Sequence, residues 1–533
     1  MYQAATGQAV EGGPWEGPAR WFVHFIQALF VGVMLFQLDA PFLSAHNERQ
    51  NHTFEMARHV FHDGWRSIVT PKVSDTVTTP GYETQRYTAV LQEVPFHGVI
   101  GWPLALFTSH ERAVVRLVST AFALIAIQLL YWIIRAWLPP APSAAGAALW
   151  AMAPLTLHFG QAPVPDILCT AGMLAAFWFA QRGKLPASSG CFLFAILAKL
   201  SVIPFGLPVL VALLVARDCR SVRSFARLSL AWGWAPLLGL LMWHAALKWF
   251  APPTVMTLGL ILQSRGSSAN LVSASFYKFL VGCFFPFGLG VLGFAGTVFA
   301  LRPQPAKMDP RIKWAVIYSN LFYLVSVLVK IAEPQYMLPV LAWGAVAASF
   351  GFNLLLDKLR SSAAWRIGFG ALLAMHVLVA VAFTIDLKAS RVPEYPDIER
   401  AARLLPPEAR VVVVYRYLAG CSPVVWLNRN TITVWEAAGM AKRFSELRRF
   451  GFTHVLIMDV ESWHNDQSAE GPLALARRLL KVLRGAPPET GANLPGYANP
   501  SSPFRVYCDQ HFWPLFVAPH VVLYSMDPPP PAK

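Results

Sequence analysis

Charge is what this chain lacks. Of its 533 residues, 14% are Asp, Glu, Lys or Arg, about half the share near 25% that soluble chains carry. Hydrophobic residues make up 55%, and mean hydropathy is +0.44. The length alone would allow about three soluble domains, but so many apolar residues do not fit inside soluble cores. The same composition excludes intrinsic disorder and a collagen-like chain. Cysteines are few, six in all. Cys169, Cys191 and Cys283 lie in apolar runs and Cys219 in a basic loop. Cys421 and Cys508 fall in the C-terminal part, where an oxidising exterior permits a disulfide. There is no Gly-rich phosphate loop in that part. No basic run is interleaved with aromatics as a nucleic-acid surface requires, so nucleic acid is dropped as a partner. What remains is a polytopic membrane protein whose first partner is the lipid bilayer.

A spanning helix needs about 20 mostly apolar residues. The candidate runs are 21–38, 113–134, 144–160, 166–180, 227–250, 273–301, 314–330, 336–355 and 367–385. The stretch 188–216 is broken by Lys199, Pro204 and Pro208 and reads as two short helices. That gives about eleven spans. The formal net charge of +15 then has a topological meaning. Residues 1–386 hold 27 Lys and Arg against 16 Asp and Glu, and residues 387–533 hold 17 against 13. With a cytoplasmic N-terminus, the inside junctions carry Arg20, Arg135, Arg182, Lys184, Arg217, Arg220, Arg223, Arg227, Arg302, Lys307, Arg311, Lys313, Lys358, Arg360 and Arg366. The short outside loops near 161–166 and 331–335 carry only Asp166 and Glu333. This satisfies the positive-inside rule. Counting 95–108 as a span reverses every later loop, so that segment is read as a short element in the outer interface. The run 21–38 exceeds a signal-peptide core of about 7–15 residues and is read as an uncleaved anchor.

Two regions lie outside the bilayer in this reading. The loop 39–111, within a membrane domain 1–386, holds six of the fourteen histidines: His46, His52, His59, His62, His97 and His110. A helix lying on the membrane is expected from Asn47 to Phe61. Residues 387–533 read as an extracytoplasmic α/β domain with a parallel or mixed sheet. Its expected helices are Asp397–Leu405, Met440–Phe450 and Leu473–Arg484. Its expected strands are Arg410–Tyr415, Thr431–Val434, His454–Asp459 and Val521–Met526.

Several residues carry possible chemistry, each with a plainer alternative. Glu48, in Ala45-His46-Asn47-Glu48-Arg49, is a general base if desolvation raises its pKa, or a solvated loop acid. Asp166, in Pro163-Val164-Pro165-Asp166, is catalytic or a helix N-cap. Glu93, in Glu93-Val94-Pro95-Phe96-His97, is a second cleft acid or an interfacial charge. Lys199 neutralises a phosphate or snorkels. Glu333 precedes Tyr336 and has Lys330 one turn away as an ordinary partner. Arg49, Arg58, Arg86, Arg112 and Arg116 lie on the outside against the general bias, as lipid-phosphate ligands or headgroup contacts. His46, Glu48 and His52 lack the spacing of a helical His pair, so no metal ligands are assigned; a divalent metal stays open as a cofactor.

The order of these motifs resembles the GT-C membrane glycosyltransferases, in the branch of protein mannosyltransferases and the lipid A aminoarabinose transferase. The matching stretches are His46-Asn47-Glu48-Arg49-Gln50, Glu55-Met56-Ala57-Arg58, Gly64-Trp65, Thr70-Pro71-Lys72, Glu93-Val94-Pro95, Arg116-Leu117-Val118-Ser119, Pro163-Val164-Pro165-Asp166, Leu197-Ala198-Lys199 and Tyr336-Met337-Leu338-Pro339. The match runs over residues 20–350. Members often have an Asp-Glu pair where this chain has Asn47-Glu48, and some have a Lys where it has Val94.

The resemblance implies inverting transfer of a sugar from a polyprenyl-phosphate donor to a lipid, glycan or protein acceptor, at the outer face of a bacterial inner membrane. Glu48 or Asp39 is the implied base, with Asp166 as a further catalytic acid. Arg58, Arg86, Arg116 and Lys199 are the implied phosphate ligands, and Asn47, Glu93, His97 and Tyr336 line the cleft. Glu48→Gln or Asp166→Asn is then expected to abolish transfer with folding intact. A secondary transporter or flippase, or a non-catalytic scaffold, is the rival class, though no inverted repeat is visible.

Overall fold

The structure is a computed structural model. It describes residues 16–36, 38–39, 47–69, 93–250, 273–284, 288–300, 308–329, 333–359, 362–389, 395–415, 430–434, 440–458, 500, 502–518 and 521–527. Among the described residues, five helices are long and apolar enough to cross a membrane: Glu16–Leu35, Glu111–Arg135, Val222–Phe250, Pro334–Leu356 and Ala363–Ala382.

The first crossing is α1 (Glu16–Leu35), followed by α2 (Asn47–Asp63), a short α3 (Arg66–Val69), α4 (Phe96–Ala105) and α5 (Glu111–Arg135). Helices α1 and α5 are pinned at both ends. Arg135 donates to Glu16 at 2.6 Å, and Arg116 donates to the carbonyl of Leu38 at 2.7 Å. The start of one therefore meets the end of the other, so the two are antiparallel neighbours. The chain thus leaves α1 and enters α5 at the same end, as a non-crossing 95–108 requires. This agrees with the ten residues of α4, which at 1.5 Å per residue reach about 15 Å, half the thickness of a hydrocarbon core. Two glycines let α4 lie flat against its neighbours. A Cβ on Gly98 would meet Ala57 Cα of α2 at 2.9 Å, and one on Gly101 would meet Val114 of α5 at 2.8 Å.

The expected span 144–160 divides into α6 (Pro140–Ala151) and α7 (Pro154–Phe159). Pro154, at the start of α7, has no N–H to carry the helix of α6 onward. Next come α8 (Pro165–Gln181), α9 (Leu185–Ala198), a 3-10 turn Leu200–Phe205, α10 (Gly206–Ala216) and α11 (Val222–Phe250). The expected pair of short helices in 188–216 is thus present. Arg217, past the end of α10, donates to the carbonyl of Gly183 at 2.7 Å. That contact brings the two basic turns, 182–184 and 217–223, to one end of the bundle. The expected span 273–301 is two helices, α12 (Ala274–Phe284) and α13 (Gly290–Ala300). Then follow α14 (Pro310–Tyr323) with a π turn Leu324–Leu328, a 3-10 turn Pro334–Met337, α15 (Leu338–Leu359) and α16 (Ala363–Ala389). One continuous apolar core runs through these helices from Ala19 to Ala380.

The C-terminal region forms a sheet covered on both faces. Its elements are α17 (Tyr395–Leu404), β1 (Arg410–Tyr415), β2 (Asn430–Val434), α18 (Met440–Arg449), β3 (His454–Met458), α19 (Pro503–His511), β4 (Trp513–Val517) and β5 (Val521–Ser525). The strand order is β2-β1-β3-β5-β4. The pairs β1–β2 and β1–β3 are parallel, while β3–β5 and β4–β5 are antiparallel. The valine run of β1 is buried on both faces, as a central parallel strand demands. Val411 and Val413 pack with Ile398 and Ala401 of α17. Val412 and Val414 pack with Phe444 and Leu447 of α18 and Phe504 of α19. Cys508 is a free, buried thiol; Cys421 and the expected helix Leu473–Arg484 lie outside the described residues.

Candidate functional site

The site begins with a helix start and a helix break. Val164 is extended (φ −121°, ψ 142°), and Pro165 opens α8, a position where its fixed φ and missing N–H carry no penalty. Asp166 follows in the first turn. It is not an N-cap, since Val164 holds that position without a side-chain bond. Helix α9 ends at Ala198 because Lys199 turns extended (φ −161°, ψ 119°). From the shared turn at 182–184, α8 rises seventeen residues back to its start and α9 rises fourteen. Asp166 and Lys199 therefore arrive at nearly the same height. Lys199 Nζ donates to Asp166 Oδ1 and Oδ2, both at 2.7 Å. Both side chains are almost wholly buried.

The aromatic wall comes from a third element. Glu333 is extended and Pro334 starts the 3-10 turn, which sets Tyr336 beside the ammonium. Lys199 Nζ stands 3.6 Å from the centre of the Tyr336 ring. A desolvated cation over a π face gains up to about 2 kcal/mol.

The fourth wall is the segment leading into α4. Glu93 pairs with Arg49 in the first turns of α2. The next residue, Val94, donates its N–H to the carbonyl of Leu197 at 3.0 Å, two residues before Lys199. Burial works against the charge on Arg49, but Glu93, then Tyr336 and Asp166, more than offset it and raise its pKa. Lys199 in turn feels Glu93 and Arg49. The result is a compact group of two cations, two carboxylates and one phenol at one end of an apolar bundle. Among the described residues no three His, Cys, Asp or Glu side chains converge as metal ligands.

No family model matches the chain, and no curated protein matches it significantly. Solved structures do. ArnT from Cupriavidus metallidurans in the apo state superposes with a TM-score of 0.55 at 16% identity, over 96% of this chain and 98% of that one. Its complex with undecaprenyl phosphate gives 0.56 at 17% identity, over 95% and 98%. The archaeal oligosaccharyltransferase AglB from Archaeoglobus fulgidus, in complex with an inhibitory peptide and a dolichol-phosphate, gives 0.54 at 10% identity, over 84% and 70%. The arabinofuranosyltransferase AftD from Mycobacteria gives 0.51 at 14% identity, over 96% of this chain and 40% of that one. This chain has the GT-C fold.

Within that GT-C fold, the structure brings together Asp166, Lys199, Tyr336 and Glu93 of the residues expected from sequence. Others lie elsewhere. Asp39 pairs with His110 at 2.7 Å, and both are exposed. Arg58 pairs with Glu111 at 3.2 Å, as does His62 at 2.7 Å. Arg116 reaches the Leu38 carbonyl. His97, in the first turn of α4, is buried against Ser119 of α5, and burial first, then the charge of Arg49, pushes its pKa down to about 3. Asn47 and Glu48 open α2, but their side chains, like Arg86 and Lys330, lie outside the described set. Gln335 donates to Glu333 at 2.6 Å.

Arg49 is the residue whose place in this group sequence alone does not give. It stands out only as one of five outside arginines, and its partner lies 44 residues away. Tyr323 is a second addition. It is fully buried and within electrostatic reach of Asp166 and Tyr336.

Proposed function

We propose that this protein is a GT-C glycosyltransferase that moves a hexosyl or pentosyl unit from a polyprenyl-phosphate donor to a lipid, glycan or protein acceptor, with inversion. The observation that carries the reading is the buried group Asp166–Lys199–Tyr336 joined to Arg49–Glu93, in the fold that holds undecaprenyl phosphate in one solved neighbour. The acceptor hydroxyl attacks the anomeric carbon, the bond from that carbon to the phosphate oxygen breaks, and polyprenyl phosphate leaves. Glu48, in the first turn of α2 beside Arg49, takes the acceptor proton as general base. Asp39, on the exposed rim, is the alternative base. Lys199 and Arg49 place positive charge where the leaving phosphate gathers negative charge. Asp166 and Glu93 hold those cations in position.

Topology follows the charge. Eleven spans run from a cytoplasmic N-terminus, with the basic turns inside. The Asp166–Lys199 end faces outward, and residues 387–533 form an extracytoplasmic domain of a protein in a bacterial inner membrane. The test is purified protein in nanodiscs, incubated with a panel of polyprenyl-phosphate sugars, with and without EDTA. Consumption of one donor with release of polyprenyl phosphate supports the reading, and the EDTA arm decides the divalent-metal requirement. Donor binding without turnover points to a transporter or flippase instead.

A further inference from the structure

We infer that His97 is a positioning residue for the Asp166–Lys199 pair, acting through Ser119 on the turn that delivers Asp166. His97 Nε2 lies 2.9 Å from Ser119 Oγ. The Ser119 hydroxyl lies 2.8 Å from the carbonyl of Ala162 and 3.4 Å from that of Val115. A hydroxyl has one proton, and a carbonyl only accepts. The Ser119 proton therefore goes to a carbonyl, the nearer being Ala162, and Nε2 must be the donor. The imidazole is Nε2–H, a tautomer assigned by the network around it.

The Ala162 carbonyl is an unusual place to lose a bond. It also accepts the N–H of Val164 at 2.7 Å, closing a three-residue turn. Pro163 and Pro165 flank Val164 and have no N–H. The turn before Asp166 is thus poor in donors of its own. The same segment holds the other half of the pair, through the Val94 bond to Leu197. Five consecutive residues, 93–97, therefore fix Arg49, the approach to Lys199 and the approach to Asp166. Gly98, against α2, seats the segment.

The kinetic part rests on the proposed transferase reading; the exchange measurement does not. We expect His97→Phe and Ser119→Ala each to lower kcat by about 10- to 100-fold, since small misplacements near a reacting centre reach that size. KM for the donor stays within about twofold, because the binding surface is kept. The double variant loses no more than the worse single one. His97→Gln, which offers an amide donor, restores most of the rate. Hydrogen exchange of the peptide spanning 162–168 becomes faster in His97→Phe and returns to normal in His97→Gln. Unchanged exchange there in both His97→Phe and Ser119→Ala overturns the inference whether or not the protein transfers sugar. So do multiplicative losses in the double variant, or a lowered Tm with kcat unchanged. A wild-type protein inert toward every donor sinks the transferase reading alone, leaving exchange to decide the role of His97.

Discussion

The ammonium of Lys199 reaches both carboxylate oxygens of Asp166 at 2.7 Å and stands 3.6 Å from the centre of the Tyr336 ring. The Lys199 and Asp166 side chains are both almost wholly buried. Each residue therefore serves the other before either serves a substrate.

That mutual dependence changes what Asp166→Asn should do. The sequence alone suggests lost transfer with folding intact. With the pair buried, removing one charge leaves the other uncompensated, a loss of about 3–5 kcal/mol. Asp166→Asn and Lys199→Met are both expected to lower the Tm in detergent markedly. Asp166→Leu combined with Lys199→Met should recover much of that stability and no transfer. A single variant as stable as wild type would show that the pair is not buried.

Tyr336 offers a cleaner separation. Tyr336→Phe keeps the ring under the ammonium, and stability should stay within about 0.5 kcal/mol. Tyr336→Leu removes the π face and should lower stability by about 1–2 kcal/mol. Thermal melts of the two side by side decide it. Equal losses would assign the effect to the phenol oxygen.

The two candidate bases stand in different surroundings. Asp39 and His110 are 48% and 67% exposed, and exposed pairs contribute about 0–1 kcal/mol. Asp39→Asn is expected to keep transfer within about twofold. Glu48→Gln should lower kcat by about 10²–10⁴, with donor affinity retained. Reversed effects would hand the base role to Asp39.

His97 gives a signature in pH. Its pKa falls from 6.5 to about 3 in the folded chain. The unfolded chain then binds the proton first as pH drops, so the contribution is complete above about 6.5 and is lost on the way down to about 3. At pH 5 the loss from this group is about 2 kcal/mol. His97→Gln should show a correspondingly flatter stability profile between pH 8 and pH 5. An unchanged slope would mean that the imidazole ionises freely.

The parts legible in the sequence are those set by local pattern. Apolar runs give the five membrane-length helices among the described residues, and the short reach of 95–108 gives α4, because hydropathy acts over one segment at a time. The valine run Arg410–Tyr415 reads directly as a strand buried on both faces. Two C-terminal elements, α19 and β4, carry little local signal. Helix α19 is capped by Ser502, which accepts from the N–H of Arg505, but in its nine residues only Phe504 and Cys508 are buried, one turn apart, too short a pattern to mark a helix. Strand β4 is mostly exposed and begins Trp513-Pro514, so it lacks the usual strand signal. At the site, Asp166, Lys199, Glu93 and Tyr336 could be singled out as odd residues in apolar company. Their partners could not, since pairing across 33 or 44 residues depends on how helices return to one level.

The fourteen residues of α9 make it about 21 Å long, against about 30 Å for a hydrocarbon core. If the basic turn at 182–184 is held at one interface, Lys199 stops some 9 Å beneath the other. A bilayer next to such a helix thins to meet it, drawing headgroups down toward the ion pair. In the proposed reaction, the thickness of the surrounding lipid thereby becomes a determinant of how far the polyprenyl carrier must sink, and bilayers of longer acyl chains should slow its arrival without altering a single side chain.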